Sequence, residues 1–471
     1  MNAPAFLSGS YDPASFRDPS GHVIEASGRI FRTVSKGIAA ERYEYVRDCG
    51  FLKSCAEKGD VVSTKELEDA GVDQDEGTRY VLEHSRIPFI SYPYEWSFQL
   101  LKSAALLHLD LHLRALKQDI TLSDASAYNV QFVGPKPVFI DVLSFRPYRE
   151  GELWEGHRQF CEQFLNPLLL RSYLGVPHNA WFRGGLEGIS STELRLLLPF
   201  YRKLSWKTFG HVVLPARLQA KATESSERAI TKIKASKLSR SGLRGMLEQL
   251  RSWIQGLEPR FSGKTVWGDY EDTHTYSDRE ESVKHAFIEE FVNKSKPQLI
   301  LDLGCNTGEY SETALGAGAE AVVGFEFDQT ALGKAYARAV RGNLKFTPLY
   351  MDAANPSPAQ GWRQQERRGF QTRAKFDALL SLAFEHHLSI GRNIPLDQVT
   401  QWLTGLAPTG VIEFVHKADP TIQRMLAVRE DIFPNYNEEN FTRALEQHAR
   451  VIKSRVVSAT GRCLFWYERL S

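Results

Sequence analysis

Cysteine is scarce in this chain: five in 471 residues, an odd number. That excludes a disulfide scaffold and leaves at least one thiol unpaired. Cys49 and Cys55 are six apart, Cys161, Cys305 and Cys463 stand alone, and no pair has the spacing of a zinc site. No metal is expected on that ground. No apolar run approaches the roughly 18 residues a membrane helix needs, so no membrane partner is expected. Neither sign of charge dominates: 58 Lys+Arg stand against 57 Asp+Glu, a formal net charge of +1. A general nucleic-acid coat or polybasic membrane binder has no field to work with at that balance, and no nucleic-acid partner is expected. Met1 to Ser10 lacks a basic start followed by an apolar stretch, so the expectation is a reduced, cytoplasmic protein. Repeats and low-complexity tracts are also missing. What is present is ordinary globular material, 42% apolar, 24% charged and 11% aromatic, enough for two to four domains. Oligomeric state is not legible.

Three textures follow one another. Residues 1–215 read as an α+β region. A strand pair at His22–Glu25 and Arg29–Val34 leads to a helix near Ala39–Lys58. Pro88–Trp96 reads as a strand running into a turn, and Ser97–Leu116 as a buried helix on which Lys102 and Arg114 are solvated charges. Val130–Val133 and Pro137–Ile140 form a hairpin across Gly134-Pro135, and Glu152–Leu204 is helical with breaks at Pro167, Pro177 and Pro199. Residues 216–260 are a basic, partly helical linker, either a solvated connector or a surface for an acidic partner. Residues 261–471 alternate apolar strands, at Gln298–Leu303, Ala321–Glu326, Phe376–Leu382 and Gly410–Val415, with helices such as Glu309–Leu315 and Thr330–Arg341. That pattern predicts an α/β fold with a doubly wound, Rossmann-like parallel sheet that binds ligand beyond the carboxyl ends of its strands.

The strongest signal closes the first of those strands: Leu301-Asp-Leu-Gly-Cys-Asn-Thr-Gly308. Gly304 and Gly308 are four apart, which fails the dinucleotide fingerprint, and Glu309 follows where a phosphate loop needs lysine. The second strand ends in Glu326, about twenty residues on, where an acid accepts hydrogen bonds from ribose hydroxyls. An acidic loop, close backbone approach and a ribose-reading acid describe a nucleoside with a cationic, amino-acid-like tail. S-adenosylmethionine meets all three. The segment resembles motif I of the class I methyltransferases, with Asn306, a residue that tolerates left-handed backbone, in place of the middle glycine. The resemblance implies that Asp302, Gly304, Cys305, Asn306 and Gly308 surround the methionine moiety, that Glu326 rather than Asp328 holds the ribose, and that Asp352 binds the adenine amino group. It also brings in Tyr270 and Tyr276, before the helix Asp278–Asn293, as candidates to stack on the cofactor or as core aromatics.

After the fourth strand, enzymes that methylate nucleobase amines carry an Asn/Asp-Pro-Pro-aromatic run. Here the place reads Ser381-Leu-Ala-Phe-Glu-His-His-Leu388, which points away from that chemistry. His386 and His387 are the candidate catalytic residues, since imidazole is suited to take a hydroxyl proton near neutral pH; Glu385, Glu413 and His416 are weaker candidates. Leu388–Pro395, Ile412–Val415, Asp419-Pro420, Gly461–Phe465 and Asp124–Phe145 together resemble the bacterial nodulation-associated, NoeA-like methyltransferases. The expectation is methylation, at oxygen, of a small-molecule or glycan-like acceptor.

Asp124-Ala-Ser-Ala-Tyr-Asn129, then Asp141 beyond the hairpin, follow the order of a kinase's catalytic Asp, magnesium-binding Asn and metal-binding Asp. The N-terminal region thus resembles kinase and aminoglycoside-phosphotransferase-like domains. It departs from them in having no glycine-rich loop and no Val-Ala-Ile-Lys strand, so that Arg32 or Lys36 stands where the lysine is needed. A kinase-like phosphotransferase or bifunctional enzyme, and a non-catalytic cofactor-sensing protein, are the competing readings.

Overall fold

The computed structural model describes residues 9–67, 77–215, 237–260, 278–427 and 429–470. Tyr270, Tyr276 and the first half of the basic segment lie outside the described residues. Among those described, no helix is long and apolar enough to cross a membrane.

The N-terminal region opens with an antiparallel sheet of β1 (Ser10–Tyr11), β2 (Val23–Ala26), β3 (Arg29–Ser35), β4 (Thr64–Glu66) and β5 (Thr78–His84), in the order β1-β2-β3-β5-β4. The helical stretch after β3 is two helices, Ile38–Asp48 and Phe51–Glu57. The expected strand at Pro88–Trp96 does not form. Pro88 and Pro93 lack amide donors for a ladder, and the Gln131 side chain takes a strand's place, accepting from Ser91 N at 2.9 Å and donating to Ser91 O at 3.0 Å. The helix Phe98–Leu116 forms as expected, capped by Ser97 and buried along most of its length. Lys102 and Arg114 are not solvated charges: Lys102 Nζ donates to Leu257 O at 2.7 Å, and Arg114 pairs with Asp60 at 2.8 Å.

Next come β6 (Ile120–Leu122), the hairpin of β7 (Val130–Val133) and β8 (Lys136–Phe139), and β9 (Phe145–Pro147), which pairs with β6. The region is thus an antiparallel sheet followed by a largely helical part, with Asp124, Asn129 and Asp141 at the loop and the hairpin. Pro167 does not break its helix. The helical run continues from 157 to 174 by widening into a π turn at Cys161–Leu165 just before the proline, which accommodates a residue with no amide hydrogen. The helix Arg240–Gln255, in the basic segment, buries Leu243, Leu247, Leu250, Trp253 and Ile254 and packs on the helix Phe98–Leu116.

The C-terminal region is a seven-stranded sheet of β10 (Leu299–Leu303), β11 (Ala321–Glu326), β12 (Phe346–Tyr350), β13 (Ala378–Ser381), β14 (Thr409–Phe414), β15 (Ala449–Val456) and β16 (Cys463–Arg469). Its order is β12-β11-β10-β13-β14-β16-β15. The first five are parallel, and β16 inserts antiparallel between β14 and β15. The order reverses at β10, which places the binding crevice at the carboxyl ends of β10, β11 and β13.

The two regions share one apolar core. Phe89 stacks on Phe376, with centroids 5.5 Å apart, and meets Phe325 edge-on at 5.9 Å. Beside them Arg373 pairs with Glu95 at 2.5 Å, the two side chains 5% and 1% exposed, and donates to Ile90 O at 2.6 Å. Removing one member strands a buried charge. Arg373→Met is therefore expected to lower unfolding free energy by about 3–5 kcal/mol in urea denaturation; a loss under about 1 kcal/mol is what an exposed, hydrated pair gives.

Candidate functional site

At the carboxyl end of β10 the chain turns sharply. Gly304 and Gly308 have φ of 73° and 84°, and Asn306 lies between them at 48°, the left-handed backbone expected of it. Side chains at the glycines would collide: a Cβ on Gly304 would sit 2.6 Å from the Phe384 ring, and one on Gly308 2.3 Å from Phe346. Gly308 then starts the helix Glu309–Gly316. The turn is tied to the next strand by Glu326, whose Oε2 accepts from Asn306 N at 3.0 Å and whose Oε1 accepts from Asp328 N at 2.7 Å. Asp328 caps the helix Gln329–Arg341 through Thr330 N and Ala331 N. With Asp328 so committed, Glu326 is the acid that faces the crevice.

The crevice is a cleft of about 370 Å³. Asp302, Gly304, Cys305, Asn306, Glu326, Asp352, His386 and His387 all line it; Gly308 lies behind, as the cap of the helix. Asp302 accepts a 2.6 Å bond from Ser311 Oγ, and burial pushes its carboxyl up to about 7 against that bond. Burial also raises Glu326, opposed by its two backbone amides. Asp352 pairs with Arg392 at 3.0 Å at the rim.

His386 and His387 lie in the short helix Glu385–Ser389, rings 4.2 Å apart. Burial holds His387 down to about 4 and His386 well below its usual value, so both are neutral at pH 7. Neither ring nitrogen of the buried His386 has a hydrogen-bond partner among the described residues, and Asn306 Oδ1 and Thr421 Oγ1, also buried, are unpartnered too. Unsatisfied polar atoms in a cleft mark where a ligand's polar groups belong.

The weaker candidates have structural work. Glu385 accepts from Val415 N at 3.0 Å and Tyr436 Oη at 2.7 Å, with its carboxyl pushed up to about 8 by burial. Glu413 is paired with Lys284 at 2.7 Å, and His416 Nδ1 accepts from Ala418 N. Sequence reasoning missed Lys284, Tyr310, Phe384 and Thr421 in the cleft wall. Ala383, φ 48°, carries a strained backbone at the same place. None has a local signal, because each is brought in by tertiary packing.

In the N-terminal region the three expected residues converge. Asn129 Nδ2 donates to Asp124 Oδ2 at 2.8 Å and to Asp141 Oδ2 at 3.4 Å. Burial and Asp141 raise the Asp124 carboxyl. Arg32, not the exposed Lys36, faces them, 3.3 Å from Asp141, and it also pairs with Asp18 from the loop between β1 and β2.

Strand order and a carboxylate-lined cleft at the switch point define a protein with the class I methyltransferase fold. No family model matches the chain. Among individual proteins it is 47% identical over 456 residues to the nodulation protein NoeA of Rhizobium meliloti (strain 1021), covering 97% of this chain and 95% of that one. The chain belongs to the NoeA family. Solved structures similar to it include the N-methyltransferase NodS from Bradyrhizobium japonicum WM9 (14% identity, TM-score 0.32, 41% of this chain and 99% of that one). Magnesium protoporphyrin IX methyltransferase from Synechocystis PCC 6803 is another (15%, 0.30, 41% and 84%), and the bifunctional kinase-methyltransferase WbdD a third (20%, 0.29, 43% and 43%).

Asp302 gives a pH signature. Its carboxyl titrates near 3.8 unfolded and near about 7 folded, so between those values the folded state holds the extra proton and stability falls as pH rises. Asp302→Asn removes that titration. Denaturation of both proteins is expected to show the variant gaining on wild type from pH 4 to about 7 and levelling off above; a constant difference would mean that folding leaves the Asp302 carboxyl unshifted.

Proposed function

We propose that the chain is an S-adenosylmethionine-dependent methyltransferase acting on an oxygen of a small-molecule or glycan-like acceptor. The observation that carries the reading is Glu326, a carboxylate at the end of β11 facing a cleft pinched by Gly304, Asn306 and Gly308. Three acids in the wall, Asp302, Glu326 and Asp352, suit a ligand that is cationic at one end and carries a diol and an amine at the other. When bound, S-adenosylmethionine supplies an electrophilic methyl group on a positive sulfur. Glu326 would accept from the ribose hydroxyls with the lone pairs its amides leave free, Asp352 from the adenine amine, and Asp302 with Asn306 would face the amino-acid tail.

Alignment in a dry cleft supplies much of such a catalyst's power. His386 or His387, neutral and on the wall but weakened as bases by burial, would take the hydroxyl proton as the acceptor oxygen is methylated, with alignment left to supply most of the rate. In calorimetry with S-adenosylmethionine, Glu326→Ala is expected to lose about 1.5–3 kcal/mol of binding, the worth of hydrogen bonds to a charged group; unchanged affinity counts against the assignment. Binding without turnover over a broad acceptor panel would favour a cofactor sensor instead.

A second reading, phosphotransfer in the N-terminal region, draws support from the convergence of Asp124, Asn129 and Asp141. Against it, Arg32 is already engaged by Asp18. Titration with Mg-ATP is expected to give no heat in wild type. ATP binding that disappears in Asp141→Ala would establish the second reading.

A further inference from the structure

Away from the cleft, three metal-ligating side chains come together. His157 Nε2 and His211 Nδ1 are 2.9 Å apart, Cys161 Sγ is 3.7 Å from His157 Nε2, and all three ligand atoms lie within 4.8 Å of one another. A tetrahedral zinc with bonds of about 2.0 Å to nitrogen and 2.3 Å to sulfur has ligand-to-ligand edges of roughly 3.3–3.7 Å. The sulfur edge to His157 already fits, the one to His211 is within 4.8 Å, and the nitrogen edge needs to open by a few tenths of an ångström.

The backbone is shaped around the cluster. His157 and Cys161 are one turn apart on a helix, hence on one face. Of the three π turns among the described residues, Cys161 opens Cys161–Leu165 and His211 is the middle residue of Phe209–Val213; the other, Leu170–Leu174, closes the same helical run as the first. Such turns are rare and gather at functional sites. Pro167 accounts for Cys161–Leu165, but no proline lies within Phe209–Val213.

The outer contacts are those of a ligating histidine. His211 Nε2 lies 3.3 Å from Gln249 Oε1, on the helix Arg240–Gln255. A carboxamide oxygen accepts, so the proton sits on Nε2 and the Nδ1 lone pair faces His157 Nε2, 2.9 Å away. Trp253 stands beside His211 at 6.1 Å and Trp154 beside His157 at 5.9 Å, giving the cluster an apolar wall.

We propose that His157, Cys161 and His211 bind one zinc ion, with a water at the fourth position, as a staple between the 157–174 helix and the Phe209–Val213 turn. A thiolate with two imidazoles selects a borderline-soft ion over magnesium or calcium. On loading, the Cys161 thiol gives up its proton to solvent as the sulfur–zinc bond forms, and the proton on His157 Nε2 is replaced by one on Nδ1 of the same ring, which frees the Nε2 lone pair for the metal.

The test uses the full chain, stripped with a chelator, dialysed and titrated with Zn²⁺ alone against a chromophoric competitor, then with Co²⁺ as a spectroscopic stand-in. Expected are one equivalent per chain, a raised Tm on loading, and a thiolate-to-cobalt charge-transfer band that Cys161→Ser abolishes. Gln249→Ala, a half-buried position that leaves the three ligands in place, is expected to weaken zinc about 10–100-fold. Folded protein that takes up no stoichiometric zinc, a cobalt spectrum without the sulfur band, or a band that survives Cys161→Ser overturns the proposal. So does copper uptake with zinc excluded.

Discussion

One carboxylate organises the C-terminal half. Glu326 closes β11, and its two oxygens receive the amides of Asn306 and Asp328. The first bond fixes the bend after β10; the second sets the residue that caps the following helix. A charge buried in a crevice needs such amides to remain there. The bend in turn needs left-handed backbone at three positions, two of which leave no room for a Cβ. The shape of the cleft and the placement of its acids are thus one arrangement.

That arrangement was legible in the sequence because it is local. Asp302 to Gly308 and Glu326 belong to consecutive strand–turn–helix units, and the residue types follow from backbone conformation and charge. The parallel strands were legible as well, since strands buried on both faces read as apolar runs. What escaped was set by distant partners. Pro88–Trp96 has strand-like composition, yet Gln131, some forty residues on, satisfies its backbone with a side chain. Pro167 looked like a helix stop, and a wider turn absorbed it. Edge strand β15, Ala449–Val456, is half Lys, Arg and Ser and carries no apolar run to find.

The N-terminal half gave up its order but not its details. Asp124, Asn129 and Asp141 were recognisable from spacing and do meet. The partner of Arg32 was not foreseeable: Asp18 comes from the loop between β1 and β2, and puts a carboxylate beside the cation that faces the three. A pair of like-charged acids and an amide need a counter-charge when buried, and here the fold provides it from within the chain.

The dry contact of Arg373 with Glu95, set beside Phe89 between Phe325 and Phe376, couples the two halves mechanically. Sliding one half past the other would part a buried ion pair and unstack a ring in the same step, so shear at this seam is opposed by both interactions together.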